Sequence, residues 1–222
     1  VVTGMNNDGV LRLDIPAGAA FATDDGKASQ RSFSTDNSIT YDSTPPAGYG
    51  VQFASDWVNA TNQTTVSFTV TGAEVGARYD YTVTDEVLRL SVMGSGMVGE
   101  QVVDVADIDV SGLSDGPLQL AVTLTDAAGN TGATAEASTV KDTVAPELSL
   151  DNPLPATAVA GDELLIVRSQ ASNSPQVSLD QKTWTPVPEG ETVLSDIAGF
   201  DALSEGAFTL HVRDHDAAGN IG

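Results

Sequence analysis

Apolar and polar residues alternate in short runs along this chain. Leu118-Gln119-Leu120-Ala121-Val122-Thr123-Leu124 places Leu, Leu, Val and Leu on one face. Val66-Ser67-Phe68-Thr69-Val70 and Tyr79-Asp80-Tyr81-Thr82-Val83 alternate in the same way. A period of two predicts strands with one face packed on a core and the other solvated. Val10, Leu11, Leu13 and Ile15 form a shorter, partial run. Clusters of Gly, Pro, Asn, Asp and Ser separate the runs, as turns require. No long helical period occurs, and no apolar stretch approaches the roughly 18 residues of a membrane span.

The punctuation repeats. Asp-Ala-Ala-Gly-Asn occurs at Asp126–Asn130 and again at Asp216–Asn220. The same offset carries Leu113-Ser114-Asp115-Gly116 onto Leu203-Ser204-Glu205-Gly206, and Leu118, Leu120 and Val122 onto Phe208, Leu210 and Val212. Tyr41-Asp42-Ser43-Thr44-Pro45-Pro46 pairs with Lys141-Asp142-Thr143-Val144-Ala145-Pro146. Loops and junctions repeated at this spacing describe a string of similar modules. Many short strands in modules of about 100 residues indicate antiparallel sandwiches of the immunoglobulin type. The fold class read from the sequence is therefore all-β, with tandem immunoglobulin-like β-sandwich modules in an elongated array.

The repeated junctions divide the chain. Residues 1–42 supply a closing hairpin, with strands at Val10–Ile15 and Ser38–Asp42 around the turn Thr23-Asp24-Asp25-Gly26. Two strands alone are marginally stable, so this module is incomplete as given or its missing strands come from elsewhere. Residues 43–142 form a whole module. Its strands are expected at Val51–Phe53 (A), Val66–Thr71 (B), Tyr79–Thr84 (C), Leu88–Met93, Val102–Val110 (E), Leu118–Thr125 (F) and Ala133–Val140 (G). Residues 143–222 form a third module lacking its last strand. Val1-Val2-Thr3-Gly4 has no signal-peptide pattern, and the chain is read as an excerpt of a longer protein.

Charge narrows the function. Nine Lys and Arg stand against 31 Asp and Glu, for a net charge of −22. Such a surface argues against nucleic acid and anionic membranes, which are held by Lys and Arg. It favours cations or a self-repelling monomer. Cysteine is absent, so packing or metal must hold the modules in place of disulfides.

Several stretches resemble one family. Val66–Ala77, Asp109-Val110-Ser111-Gly112-Leu113-Ser114-Asp115-Gly116, Val122–Asn130 and Lys141–Pro146 resemble the bacterial immunoglobulin-like repeats of giant secreted adhesins. Leu13-Asp14-Ile15-Pro16-Ala17-Gly18-Ala19 with Thr23–Gly26 looks like the closing hairpin of a related repeat. The third module departs from this text over Leu148–Glu191, at Asn152-Pro153-Leu154-Pro155 and Asp180-Gln181-Lys182-Thr183-Trp184. The resemblance implies an extracellular, cell-surface protein whose modules contact their neighbours in the same chain. It also implies calcium at or near the junctions.

The junction chemistry can be argued separately. In an immunoglobulin-type module the FG and BC loops face the arriving linker, and the EF and AB loops face the departing one. The first junction then groups Asp42 with Asp126, Asn130 and Glu74. The second groups Asp142 with Asp214, Asp216, Asn220 and Asp115. Carboxylates converging with carbonyls suit calcium, which takes about 6–8 oxygen ligands. Asp24 is a further candidate in the first module. A plain reading stands beside this one. Asp-Ala-Ala-Gly-Asn is also a good tight turn, in which Asp accepts backbone amides two residues on.

No catalytic set is apparent: His211 reads as a solvated strand residue, His215 as a loop residue, and no nucleophile elbow occurs. Trp57 and Trp184 read as sandwich fillers. The expectation is a non-enzymatic extender of a surface adhesin, with structural calcium. The alternatives are a module that binds a host glycan or protein, for which an exposed Trp184 would speak, and an accessory region of a secreted hydrolase.

Overall fold

The computed structural model describes residues 5, 7–31, 37–151, 164–170 and 175–222. The Asn152–Pro155 segment lies outside the described residues. Strands β1 (Gly9–Arg12) and β2 (Ser38–Tyr41) form an antiparallel hairpin. Between them Asp24 is exposed in the turn, where Asp25 accepts the Lys27 N–H at 3.0 Å.

From Gly50 to Lys141 the chain builds two packed sheets. One holds β3 (Gly50–Phe53), β5 (Val66–Thr71) and β8 (Val102–Ile108) in the order β3-β5-β8. The other adds β4 (Trp57–Val58), β6 (Arg78–Asp85), β7 (Ser91–Met97), β9 (Gly116–Thr125) and β10 (Ala135–Lys141), in the order β4-β10-β9-β6-β7. All pairs are antiparallel except the short β4–β10 pair. This is an immunoglobulin-like sandwich. Its core follows the alternation in the sequence: Leu118, Leu120, Val122 and Leu124 are fully buried opposite Phe68 and Val70. Phe68 and Tyr81 meet edge to face at 5.2 Å, the favoured geometry of aromatic pairs.

Two features differ from the sequence reading. The strand expected at Leu88–Met93 lies at Ser91–Met97. The reason is Asp85, fully buried at the end of β6. Its carboxylate accepts the N–H groups of Val87, Leu88 and Arg89 at 3.0, 2.6 and 3.1 Å. Those residues are wound into a turn, and Val87 and Leu88 are left exposed. The two-residue strand β4 was not anticipated either; Trp57 and Val58 add to the edge of β10.

The third part of the chain has its own core of Leu165, Val167, Val177, Val187, Leu194 and Ile197. Strands β11 (Leu148–Leu150), β12 (Leu164–Ser169) and β15 (Glu191–Val193) make one sheet. Strands β13 (Gln176–Ser178), β14 (Thr185–Pro186) and β16 (His211–Arg213) make the other. Three short 3-10 turns, Pro188–Gly190, Leu194–Asp196 and Phe200–Ala202, run between β14 and β16.

Candidate functional site

The repeated pentapeptide forms the same loop twice. The backbone N–H groups of Ala128 and Asn130 donate to Asp126 Oδ1, at 2.9 and 2.8 Å. The Asn130 side-chain amide donates to Asp126 Oδ2 at 2.8 Å. In the second copy the Asn220 N–H and side-chain amide donate to Asp216 Oδ1 and Oδ2, each at 2.8 Å. Asp is needed because one carboxylate must accept from backbone and side chain together. Gly129 and Gly219 take φ of 93° and 86°, the left-handed region open to glycine.

Each loop then reaches the linker before its module. The Asn130 amide also donates to the Asp42 carbonyl at 3.2 Å. The Asn220 amide donates to the Asp142 carbonyl at 2.8 Å. The linker carboxylates make Asx turns, Asp42 accepting the Thr44 N–H and Asp142 the Val144 N–H. The turn chemistry expected of these residues is therefore present at both junctions.

The preceding module grips the linker from the other side. Asp115 Oδ2 accepts the Thr143 N–H at 3.0 Å and its hydroxyl at 2.9 Å. At the first junction this role falls to Asp8, which accepts the Ser43 N–H at 2.7 Å and the hydroxyls of Ser43 and Thr44. Asp8 was missed in the sequence, although Asp8-Gly9 stands before β1 as Asp115-Gly116 stands at the start of β9. Two further repeated residues were also missed. Gly132 and Gly222 follow the two loops at the same spacing, and a Cβ on either would run into the carbonyl of Pro46 or Pro146.

The second junction carries direct contacts between modules. Asn59 donates its side-chain amide to the Ala218 carbonyl at 2.7 Å. The Ala60 N–H donates to Asn220 Oδ1 at 3.1 Å. Asn59 and Ala60 belong to the loop between β4 and β5, so the middle module covers the loop of the third.

The remaining candidates take no part in these bonds to the linker. Glu74 is exposed in the BC loop, where its carbonyl accepts the Ala77 N–H. Asp214 is 1% exposed and continues the alternation of Phe208, Leu210 and Val212, which pack on the third core. Its Oδ1 accepts the His215 N–H at 2.8 Å, and its Oδ2 has no hydrogen-bond partner among the described residues. Asp24 remains in the first hairpin.

Electrostatics follow the bonds. The Asn130 amide is the main influence on Asp126; burial opposes it, and with the N–H groups of Asn130, Ala128 and Gly129 the net shift is below the usual carboxylate range. For Asp216 burial is the largest single influence and acts upward, but the Asn220 bonds together with the Ala218 and Gly219 N–H groups make the net shift downward. Asp8 is lowered chiefly by the Thr44 hydroxyl and the Ser43 bonds, and the neighbouring Asp42 carboxyl also contributes. Ionised carboxylates are thus stabilised at both junctions. Among the described residues, no three His, Asp or Glu side chains stand together as a ready metal cluster. A cation there would have to combine carboxylates with Asn Oδ1 and backbone carbonyls, a mixed oxygen set of the kind calcium accepts.

Trp184 is half-buried, and the Arg213 guanidinium lies over its ring at 4.0 Å, a cation–π arrangement.

No protein-family model and no curated protein matches the sequence. Among solved structures, the chain is similar to a tetra-tandem repeat in the extending region of a large adhesion protein. The identity is 21%, over 96% of this chain and 54% of that one, with a TM-score of 0.41. It is similar to a 1.5-MDa bacterial ice-binding adhesin at 18% identity, over 81% of this chain and 62% of that one, with a TM-score of 0.44. It is also similar to the fibronectin(III)-like modules of Clostridium thermocellum CbhA at 13% identity, over 77% and 88%, with a TM-score of 0.41. The chain thus spans 54% and 62% of the first two.

Proposed function

We propose that this chain is a non-enzymatic extension segment of a large bacterial surface adhesin, with calcium closing its module junctions. One observation carries the reading. The same junction is built twice, with an FG-loop Asn, held by its own Asp, bonded to the carbonyl of the linker Asp. A loop that spends its side chains on the neighbouring linker serves the geometry of the string. The resemblance of the repeated text to adhesin repeats supplies the setting outside the cell, where a strut would hold a terminal binding region away from the surface.

Calcium suits this role. At the first junction the ion would draw a mixed oxygen set from Asp8, Asp42, Asp126, Asn130 and backbone carbonyls; at the second, from Asp115, Asp142, Asp216, Asn220 and backbone carbonyls. A divalent cation would neutralise carboxylates that otherwise repel in a chain of net charge −22. Binding confined to the folded, docked state adds about 2.7 kcal/mol at a free-ion concentration of ~100 dissociation constants. The test is X-ray scattering and a thermal melt in calcium, magnesium and chelator. Calcium should lengthen the maximum dimension and raise the melt by several degrees, and Asp126→Asn should abolish both changes at the first junction. Identical dimensions and melts in calcium and chelator would sink the calcium part of the reading. Arg213 over Trp184 occupies a ring face on which a sugar would stack, so the glycan-binding alternative gains no support there.

A further inference from the structure

Lys141 is the last residue of β10, and only 3% of its surface is exposed. Its ammonium donates to three carbonyls of the EF loop: Val110 at 3.1 Å, Ser111 at 3.3 Å and Leu113 at 2.6 Å. An ammonium has three protons, so its hydrogen-bonding capacity is filled by backbone. Asp115 Oδ1 stands 4.0 Å away, close enough for charge attraction but outside that set of three bonds. The Asp115 oxygens are left for Thr143. The charge is buried, so salt in solution screens the attraction weakly.

We propose that Lys141 is a tethered cation that locks the junction between the middle and third modules without a divalent ion. The ammonium fixes the EF loop, the loop presents Asp115, and Asp115 holds Thr143 at the start of the next linker. Asp142, between Lys141 and Thr143, donates its N–H to the Val58 carbonyl and accepts from Asn220 through its own carbonyl. Asn59 and Ala60 close the other side on Ala218 and Asn220. The first junction shares the Asn–linker bond but has Tyr41 at the position of Lys141. The two junctions therefore differ in their need for an added cation: at the second, an ion would add to a junction that Lys141 already closes. This refines the strut reading and rests on it for its purpose, while the lock itself is read from the contacts.

The chain has no cysteine, so spin labels can be placed at will. Glu136 and Lys182 are exposed on the middle and third modules, and Thr40 is exposed on the first hairpin. Pulsed electron paramagnetic resonance on E136C/K182C reads the second junction, and T40C/E136C reads the first. In chelator, the E136C/K182C distance distribution should keep the width it has in calcium. Adding Lys141→Met should broaden it in chelator. Thr143→Val leaves the buried ammonium in place and removes the hydroxyl bond to Asp115; it should also broaden the distribution, even if K141M unfolds the middle module. Broadening of the parent pair in chelator would overturn the proposal, as would an unchanged width in T143V. The T40C/E136C pair separates the two ideas. If it ignores calcium, the calcium reading fails while the Lys141 lock can still be judged on the other pair.

Discussion

A glycine sets how closely each arriving linker lies against its module. Gly132 donates its N–H to the Leu124 carbonyl at 2.9 Å, and the space a Cβ would need is filled by the Pro46 carbonyl. Gly132→Ala should therefore push the linker off the loop. A clash of this kind costs about 1–3 kcal/mol, and urea unfolding of a Trp184→Phe background, followed through Trp57, would read it. An unchanged midpoint would mean that the linker is not held there. Gly132 was readable in principle, because the spacing that relates the two pentapeptides also carries it onto Gly222. Asn59 and Ala60 were not. Their partners lie far along the chain, and only the packing of one module on the next brings them together.

At the scale of elements, the edge strand β7 shows where pattern reading runs out. Leu88 and Leu90 alternate like strand residues, yet Asp85 takes up the backbone amides that a strand would use. The true strand contains Gly94 and Gly96, poor strand formers by propensity. They fit because the rings of Tyr81 and Tyr79 lie across them, with Tyr81↔Gly94 and Tyr79↔Gly96 in register. Gly94→Val separates the two effects. Propensity alone predicts a gain. The Tyr81 ring stands 2.5 Å from where the Cβ would sit, so the packing predicts a loss of about 1–3 kcal/mol. Thermal unfolding decides between them. By contrast, strands β5 and β9 could be read directly, because clean alternation there coincides with complete burial of one face. The 3-10 turns of the third part left no such trace.

For the whole molecule, acid is the informative variable. Asp85 feels burial most strongly, and burial acts upward, but the N–H groups of Leu88, Ser114, Arg89 and Val87 together hold it below the usual range. Asp8, Asp126 and Asp216 are also lowered, and Asp180 falls to about 2 through the N–H groups of Thr183 and Lys182. A carboxylate lowered in the fold contributes stability above its unfolded value of about 3.9, and that stability is lost as pH falls through the folded value. Acid also relieves the repulsion of a −22 surface, which acts in the opposite direction. The bonded carboxylates are buried or tightly paired, so their loss should dominate. Urea midpoints should hold from neutrality to about pH 5 and fall below about pH 4. Midpoints that rise steadily into acid would show that surface repulsion outweighs the bonded carboxylates.

The hydrogen bond from Asn220 to the Asp142 carbonyl has a consequence for how such a string can be cut or copied. A sandwich excised at its own first strand leaves behind the linker that its FG loop was shaped to hold. The unit that can be duplicated with its bonds intact is staggered. It starts at the last residues of one module and ends before the last residues of the next. A shuffled or shortened string should keep its straightness only where breaks respect that stagger, so the grammar of the array lies in its overlaps.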